Sequence, residues 1–389
     1  MTRVLFLCPR QPCPPHRGDQ RRVLGLLGEL SRVADVTVAC FGHGELPFAG
    51  VRMLGVTRGA LSTARANLRV PRPDLPGQVR LHLDAGLQAT VAAELRERRP
   101  DVLHITTARL GPYLTSAGGW HRHVDLIDAL SLNMATRASG ERGPRRAAFR
   151  AEAALMARYE ARLVAHADSA SLVSDGDRTA ASGLQSAAVI PNGVDLDVFT
   201  FRAPAARPST DELLFFGNLG YFHNLEPARY IAEEVLPRVR AAVPGATLRL
   251  CGARPAAMVQ RLAHVPGVTV VGSVESMVEQ LHRAAVAIVP MFTGSGMKNK
   301  VLEAFATGTP VVTNALGIQG LEGARVGIEY QSAEDADGLA AACVALLRDP
   351  GRRQQGALAG RALVEERYTW RTQALALLAL YAASRGTDF

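Results

Sequence analysis

Short apolar runs separated by longer stretches of helical period recur along almost the whole chain, and no other feature restricts its fold so tightly. "RVLFLCP" leads into "QRRVLGLLGELSRVA" and then "DVTVACFG", and "PDVLHIT", "HVDLID" and "SASLVS" follow. Strands alternating with helices of roughly 10–15 residues make βαβ crossovers, and therefore parallel sheets. The alternation breaks at "TFRAPAARPSTD", a Pro-, Ala- and Arg-rich stretch without apolar period that reads as a linker near residue 205. It restarts with "ELLFFGN", a helical stretch over "LEPARYIAEEVLPRVRAAVP", and the runs "ATLRLCGA", "VTVVGSV", "VAIVPM" and "PVVTN". At 389 residues the chain exceeds the roughly 250–300 at which one core stops growing. Two doubly wound α/β domains are expected, over residues 1–204 and 205–370. A terminal helix over 371–389, with the apolar stripe of "WRTQALALLALYAASR", is expected to cross back onto the first.

Composition narrows the chemistry. A chain 48% hydrophobic and 21% charged is globular rather than disordered or fibrous. The net charge of +8 favours anionic partners, and its densest patch is Arg142, Arg145, Arg146, Arg150, Arg158 and Arg162. With aromatics at 5% and no nucleic-acid module, nucleic acid is not the expected partner. Phosphates on a small ligand fit the charge, as does peripheral contact with an acidic membrane surface. Glu152 and Glu160 interleave with the arginines, which reads as a solvated helix face. Five cysteines without a C-x-x-C pair read as reduced core residues, and no run approaches the ~18 apolar residues of a membrane span. A cytoplasmic protein, at most resting on the inner face of the membrane, is expected. No H-E-x-x-H is present, and no Cys or His pair and no D-x-D on a loop reads as a metal site, so neither metal nor cofactor is expected.

The densest chemistry lies in "GSGMKNKVLEAFATGTPVV", residues 294–312. Glycines let backbone approach a ligand, and a helix start after a strand presents free N–H groups to an anion. Lys298 and Lys300 are two apart and point to different sides, whereas Lys300 and Glu303 are three apart and share a face. A lysine for a diphosphate and a carboxylate for vicinal ribose hydroxyls describe a nucleotide-diphosphate site. The competing reading is an ordinary surface Lys–Glu pair, and the apolar "VLEAFATGTPVV" weighs against it.

His104, at the end of "DVLHIT", is placed where sheet-end residues reach a ligand, with a satisfied core histidine as the alternative. His16, beside Gly18, has a similar claim. Asp125 and Asp128 point to opposite faces of a strand, one for structure and Asp128 toward an acceptor. Asn192, Gly193 and Asp195 read as a structural turn.

The stretch around Lys300 resembles the donor-site signature of the retaining glycosyltransferase family 4 enzymes. "NKVLEA" at 299–304 is most similar to a bacterial sugar-transferase subgroup. "CPPHRGDQRR" (13–22), "DLIDALS" (125–131), "ARYEARLVAHADSASLVS" (157–174) and "VIPNGVDLDVF" (189–199) extend the resemblance over most of the chain. It implies the GT-B fold, in which two Rossmann-like domains face a central cleft. It also implies metal-independent transfer of a hexosyl or N-acetylhexosaminyl group, with retention, from a nucleoside diphosphate sugar to a hydroxyl acceptor. Family frequency makes the base uracil. The acceptor is a lipid-linked or surface polysaccharide intermediate, or a secondary-metabolite core such as an aminocyclitol.

Carried onto this sequence, Lys300 binds the donor diphosphate with Lys298 beside it, and Glu303 holds the ribose. Gly294, Ser295, Gly296 and Val301 contact the donor, while Asn218, His223 and Asn224 stand where many members carry Arg and Lys. Gly18 and Asp19 face the β-phosphate and sugar, and His16, Arg17, His104 and Asp128 serve the acceptor. Lys300, Lys298 and His104 carry the catalysis. Many members pair two glutamates eight apart, and here the position eight before Glu303 is Ser295. That departure supports the alternative of a non-catalytic nucleotide-sugar sensor or an inactive partner subunit of the same fold.

Overall fold

A computed structural model describes residues 1–59, 61, 74–115, 118–207, 209–294 and 296–383. The chain forms two compact units, Met1–Gly193 with Trp370–Phe389, and Val194–Thr369. The stretch read as a linker near residue 205 lies inside the second unit. Its backbone is bonded there: Arg202 N–H donates to Thr307 C=O at 3.2 Å, and His282 Nε2 donates to Thr200 C=O at 2.8 Å.

The first unit holds seven parallel strands: β1 (Thr2–Cys8), β2 (Ala34–Phe41), β3 (Arg52–Val56), β4 (Val102–Thr106), β5 (His121–Ile127), β6 (Ser169–Leu172) and β7 (Ala188–Val189). Their spatial order is β3-β2-β1-β4-β5-β6-β7. The second holds six parallel strands: β8 (Glu212–Phe216), β9 (Thr247–Cys251), β10 (Val268–Gly272), β11 (Val286–Ile288), β12 (Val311–Thr313) and β13 (Tyr330–Ser332). Their order is β10-β9-β8-β11-β12-β13. Each order reverses direction once, between β1 and β4 and between β8 and β11. At such a switch point the crevice beyond the carboxyl ends of the strands accepts ligands.

Strand β1 shows why the runs are apolar throughout rather than alternating. Val4, Phe6 and Cys8 pack on one face with Leu26, Leu27 and Leu377, while Leu5 and Leu7 pack on the other with Leu87, Val91 and Met156. Both faces of a doubly wound sheet are covered, so every side chain of a central strand is buried. The terminal helix Trp370–Ala383 lies on the first of these faces, against the helix Gly18–Leu30. Gly25 permits that approach, because a Cβ there would come within 2.2 Å of the Trp370 indole.

Under that helix runs a buried polar seam. Arg22, 1% exposed, donates from Nε to Asp125 Oδ2 at 2.6 Å and from Nη2 to Asp125 Oδ1 at 3.2 Å. Its Nη1 donates to Pro191 C=O and to Asn192 Oδ1. Ser171 Oγ donates to Asp125 at 3.2 Å and meets His123 Nε2 at 3.1 Å, and His104 Nδ1 lies 2.7 Å from the Tyr381 hydroxyl. His104 also stacks on Phe6 at 3.8 Å. The expectation that His104 reaches a ligand at its strand end is therefore corrected. Its side chain faces inward beneath the terminal helix, fully buried in the seam.

The arginine-rich stretch forms the helix Gly143–His166, paired with the helix Leu130–Gly140. Arg142, Arg145, Arg146, Arg150, Arg158 and Arg162 are all exposed, but the glutamates do not interleave with them. Glu160 is turned inward to accept from Leu130 N–H at 2.7 Å, and Glu152 accepts from the Gly77 and Gln78 N–H groups. The carboxylates cap neighbouring helices instead of balancing the arginines. Four of the five cysteines are buried, as a reduced core requires, and Cys13 is half-buried in a loop. Among the described residues no helix is long and apolar enough to cross a membrane.

Burial holds the imidazoles of His104 and His123 well below their ordinary pKa, with nearby Arg22 adding to the effect on both. Below about pH 6.5 the unfolded chain takes up protons that the folded seam refuses. Stability is then expected to fall by about 1.4 kcal/mol per pH unit for each such histidine. Thermal unfolding between pH 7 and 5 should show this slope, and His104→Phe should make it shallower.

Candidate functional site

The carboxyl ends of β8 and β11 gather the residues of the 294–312 stretch. Beyond β11 the chain is clamped by Asn314, whose Oδ1 accepts from Met291 N–H at 2.9 Å and whose Nδ2 donates to Met291 C=O at 2.8 Å. The following loop turns at Gly294 (φ 104°) and Gly296 (φ 69°), left-handed conformations that favour glycine. The helix Asn299–Thr307 then starts with Lys298 as its N-cap, whose own side chain makes no cap hydrogen bond.

Lys300 is half-buried, with its ammonium enclosed. Nζ donates to Asn224 Oδ1 at 2.5 Å, sits 4.4 Å above the Phe215 ring, and contacts Met291 Sδ at 4.0 Å. Asn224 is held in turn by its Nδ2 donating to Asn218 C=O at 2.7 Å. Gly217, just past β8, has φ 129° and must be bare, since a Cβ would stand 2.7 Å from Lys300 Cε. Burial lowers the Lys300 pKa to about 7; Glu303 opposes that shift and Lys298 adds to it. Lys298 Nζ donates to the carbonyls of Gly296 at 3.0 Å and Gly294 at 3.3 Å. His223 Nδ1 meets Thr293 Oγ1 at 2.6 Å, and burial, then Lys298 and Lys300, lower its pKa to about 4. Two lysines and a neutral imidazole thus converge where a loop of glycines meets a helix start, and two ammonium groups held close together are stabilised by an anion.

Two family models match the chain, "Glycosyltransferase Family 4" over residues 17–198 and "Glycosyl transferases group 1" over residues 210–349. Between them the two models reach across both units, and the chain has the GT-B fold. Glycogen synthase of Mycobacterium tuberculosis is 34% identical over 215 residues, 52% of this chain and 50% of that one. The chain therefore spans about half the length of the curated relatives it matches. Among solved structures, Anabaena HepE in complex with UDP and glucose superposes with a TM-score of 0.69 at 15% identity, covering 98% of this chain and 100% of that one. Sucrose-phosphate synthase of Thermosynechococcus elongatus gives 0.72 at 17%, covering 99% and 100%. At these identities the likeness is one of fold.

The second unit brings together Lys298, Lys300, His223, Asn224, Gly294 and Gly296, and buries Glu303 one turn after Lys300. Ser295 lies outside the described residues. Asn218 contributes its carbonyl, while its side chain is spent on its own turn by accepting from Gly220 N–H at 3.0 Å. Val301 is fully buried and its N–H donates to Lys298 C=O, so neither group is available to a donor. In the first unit His16, Arg17 and Gly18 are exposed at the start of the first helix, and a Cβ at Gly18 would meet nothing within 4 Å. Asp19 pairs with Arg10 at 3.4 Å, and Asp128 is half-buried just past β5. Among the described residues no group of three or more His, Cys, Asp or Glu side chains could hold a metal.

Sequence reasoning missed Thr293 and the exposed aromatic pair Tyr221 and Phe222, whose rings flank His223. One available signal pointed at the site: of 44 basic residues, only Lys298 and Lys300 are lysine. Arginine stays charged at any working pH, whereas a buried lysine changes its pKa. Reductive methylation with labelled formaldehyde marks the two lysines and the N-terminal amine, and the Lys300 resonance should titrate near pH 7. That resonance should vanish in Lys300→Met and move to higher pH in Asn224→Asp, where a carboxylate replaces the amide.

Proposed function

We propose that this chain transfers a hexosyl or N-acetylhexosaminyl group from a nucleoside diphosphate sugar, with uracil as the base, to a hydroxyl acceptor with retention and without metal. The observation that supports it most is the enclosed Lys300 ammonium beside Lys298 and His223, at a helix start by the switch point of the second sheet. The departing diphosphate gains negative charge as the bond from the sugar breaks. Preplaced ammonium and N–H groups stabilise that charge without reorganising. Glu303 holds the ribose in this reading, and Asn224 keeps Lys300 aimed at the diphosphate. The UDP and glucose bound to Anabaena HepE, a protein of the same fold, agree with the choice of base. The acceptor is a lipid-linked or surface polysaccharide intermediate or a small secondary-metabolite core, and the protein works in the cytoplasm, at most in peripheral contact with the inner face of the membrane.

Thermal-shift and calorimetric titration with UDP, GDP, dTDP and ADP, with and without magnesium, tests this directly, because a ligand of the folded state raises its stability. UDP alone is expected to bind, independently of magnesium. Lys300→Ala should weaken it by about tenfold or more, the worth of one charge-assisted hydrogen bond. A variant that folds and binds UDP as before removes the diphosphate role of Lys300. Since UDP favours the charged ammonium, affinity should be flat below pH 7 and fall by up to about tenfold per pH unit above it. Glu303→Gln should weaken UDP while leaving inorganic pyrophosphate binding unchanged.

A further inference from the structure

The first unit carries a second concentration of positive charge, at the carboxyl edge of its own sheet. Arg10 lies two residues past β1, Arg58 two past β3, and Arg109 three past β4. Asp19 pairs with Arg10 at 3.4 Å. Among the described residues neither Arg58 nor Arg109 has a carboxylate partner. Arg58 donates to Leu81 C=O and lies 5.3 Å over the Phe41 ring. Arg109 is half-buried, and its Nε and Nη2 share one neutral acceptor, Gln78 Oε1, at 3.0 and 2.7 Å. The Gln78 backbone carbonyl accepts from His82 Nδ1 at 2.8 Å, which places the imidazole beside the same guanidinium. Burial lowers the His82 pKa to about 4. Its bond to Gln78 opposes that, and all three arginines are near enough to lower it further.

The same edge is strained and under-satisfied. Thr107 and Ile127, both β-branched, hold φ of 71° and 64° at the ends of neighbouring strands β4 and β5. β-Branched residues adopt this region only where surroundings force it, and such strain gathers at functional sites. The hydroxyls of Thr106 and Thr107 are buried and have no partner among the described residues. Asp19, Asp128 and Glu160 act on the Arg109 guanidinium from a distance, but burial outweighs them, and a bound anion offsets the cost of that burial. Neutral sugar hydroxyls need no such arrangement. Guanidinium groups arriving from three strand ends match the several oxygens of a phosphate.

We propose that the carboxyl edge of the first sheet is an anion site in which Arg10, Arg58 and Arg109 hold a phosphate group carried by the acceptor. This names the substrate class of the transferase reading and rests on it, but the site can be measured without turnover. The protein, saturated with UDP so that the donor site is filled, is titrated with inorganic phosphate and followed by calorimetry and thermal unfolding. Phosphate is expected to bind and to raise the unfolding midpoint. Arg109→Met should weaken phosphate about tenfold or more. Its midpoint without phosphate should stay level or rise, because an unpaired charge has been removed. Arg58→Gln should act in the same direction. Lys300→Ala should keep the phosphate effect.

Phosphate binding that persists in both arginine variants overturns the proposal, as does binding lost in Lys300→Ala, which would put the phosphate in the donor site. A midpoint lowered in Arg109→Met with phosphate affinity intact overturns it too, since Arg109 would then be structural. Failure of UDP to bind sinks the donor reading alone and leaves the phosphate titration to be read as it stands. Glycerol phosphate and a short-chain prenyl phosphate distinguish the source. Equal affinity for both assigns the head group of a phosphorylated glycan, and tighter prenyl phosphate binding assigns a lipid-linked acceptor.

Discussion

The buried Arg22–Asp125 pair is the interaction on which the first unit depends. Both side chains are almost wholly removed from water, and the guanidinium is used on every side: two bonds to the carboxylate, one to Pro191 C=O and one to Asn192. Removing one partner of such a pair costs about 3–5 kcal/mol, because the other charge is left buried alone. What it joins matters as much as what it contributes. It binds the first helix to the end of β5 and to the segment by which the chain leaves the unit. Through Ser171, His123 and the neighbouring His104 the seam reaches Tyr381 on the terminal helix. The first and last helices of the chain are thereby held on one polar spine, and the loops past β1, β4 and β5 spring from strands fixed by it.

Most of the fold was legible because central strands of a doubly wound sheet announce themselves. "RVLFLCP" and "ELLFFGN" have both faces buried and read as unbroken apolar runs. The strands that escaped, β3, β7 and β13, are edges of their sheets. "RMLGV" contains an arginine and a glycine, β7 is two residues long, and "YQS" is polar, so none carries the signal of double burial. His104 was misplaced for a related reason. Its position near the end of β4 was readable, but the side of the sheet it faces depends on the terminal helix, 277 residues away, where Tyr381 waits for its Nδ1. Glu152 and Glu160 looked like partners of the arginines by spacing, and only the fold showed the loose helix starts at Gly77 and Leu130 that they cap.

The cluster around Lys300 was legible as a motif and not as an electrostatic state. The spacing of Lys300 and Glu303 gave a shared face, but the roof over the ammonium is supplied by Phe215 and Asn224 from other elements. Its lowered pKa is a property of that enclosure. The preference for lysine in one stretch of a chain that otherwise uses only arginine is the sequence trace of the same fact, since only lysine can exploit a site that shifts its charge.

On the proposed reading the two positively charged places divide their work by the kind of charge they use. At the donor side the bound group changes during the reaction: the diphosphate gains negative charge as it leaves the sugar, then has to depart. A lysine whose pKa burial lowers to about 7 meets that charge as an ammonium and gives up a proton more readily once the product has gone, so its charge is tied to the presence of the anion. At the acceptor side a phosphate that positions the nucleophile is the same before and after transfer. Permanent charge suits it, and guanidinium groups supply permanent charge in a fixed, forked geometry. The distribution of residues follows that division, with the only two lysines at one sheet's edge and arginines alone at the other.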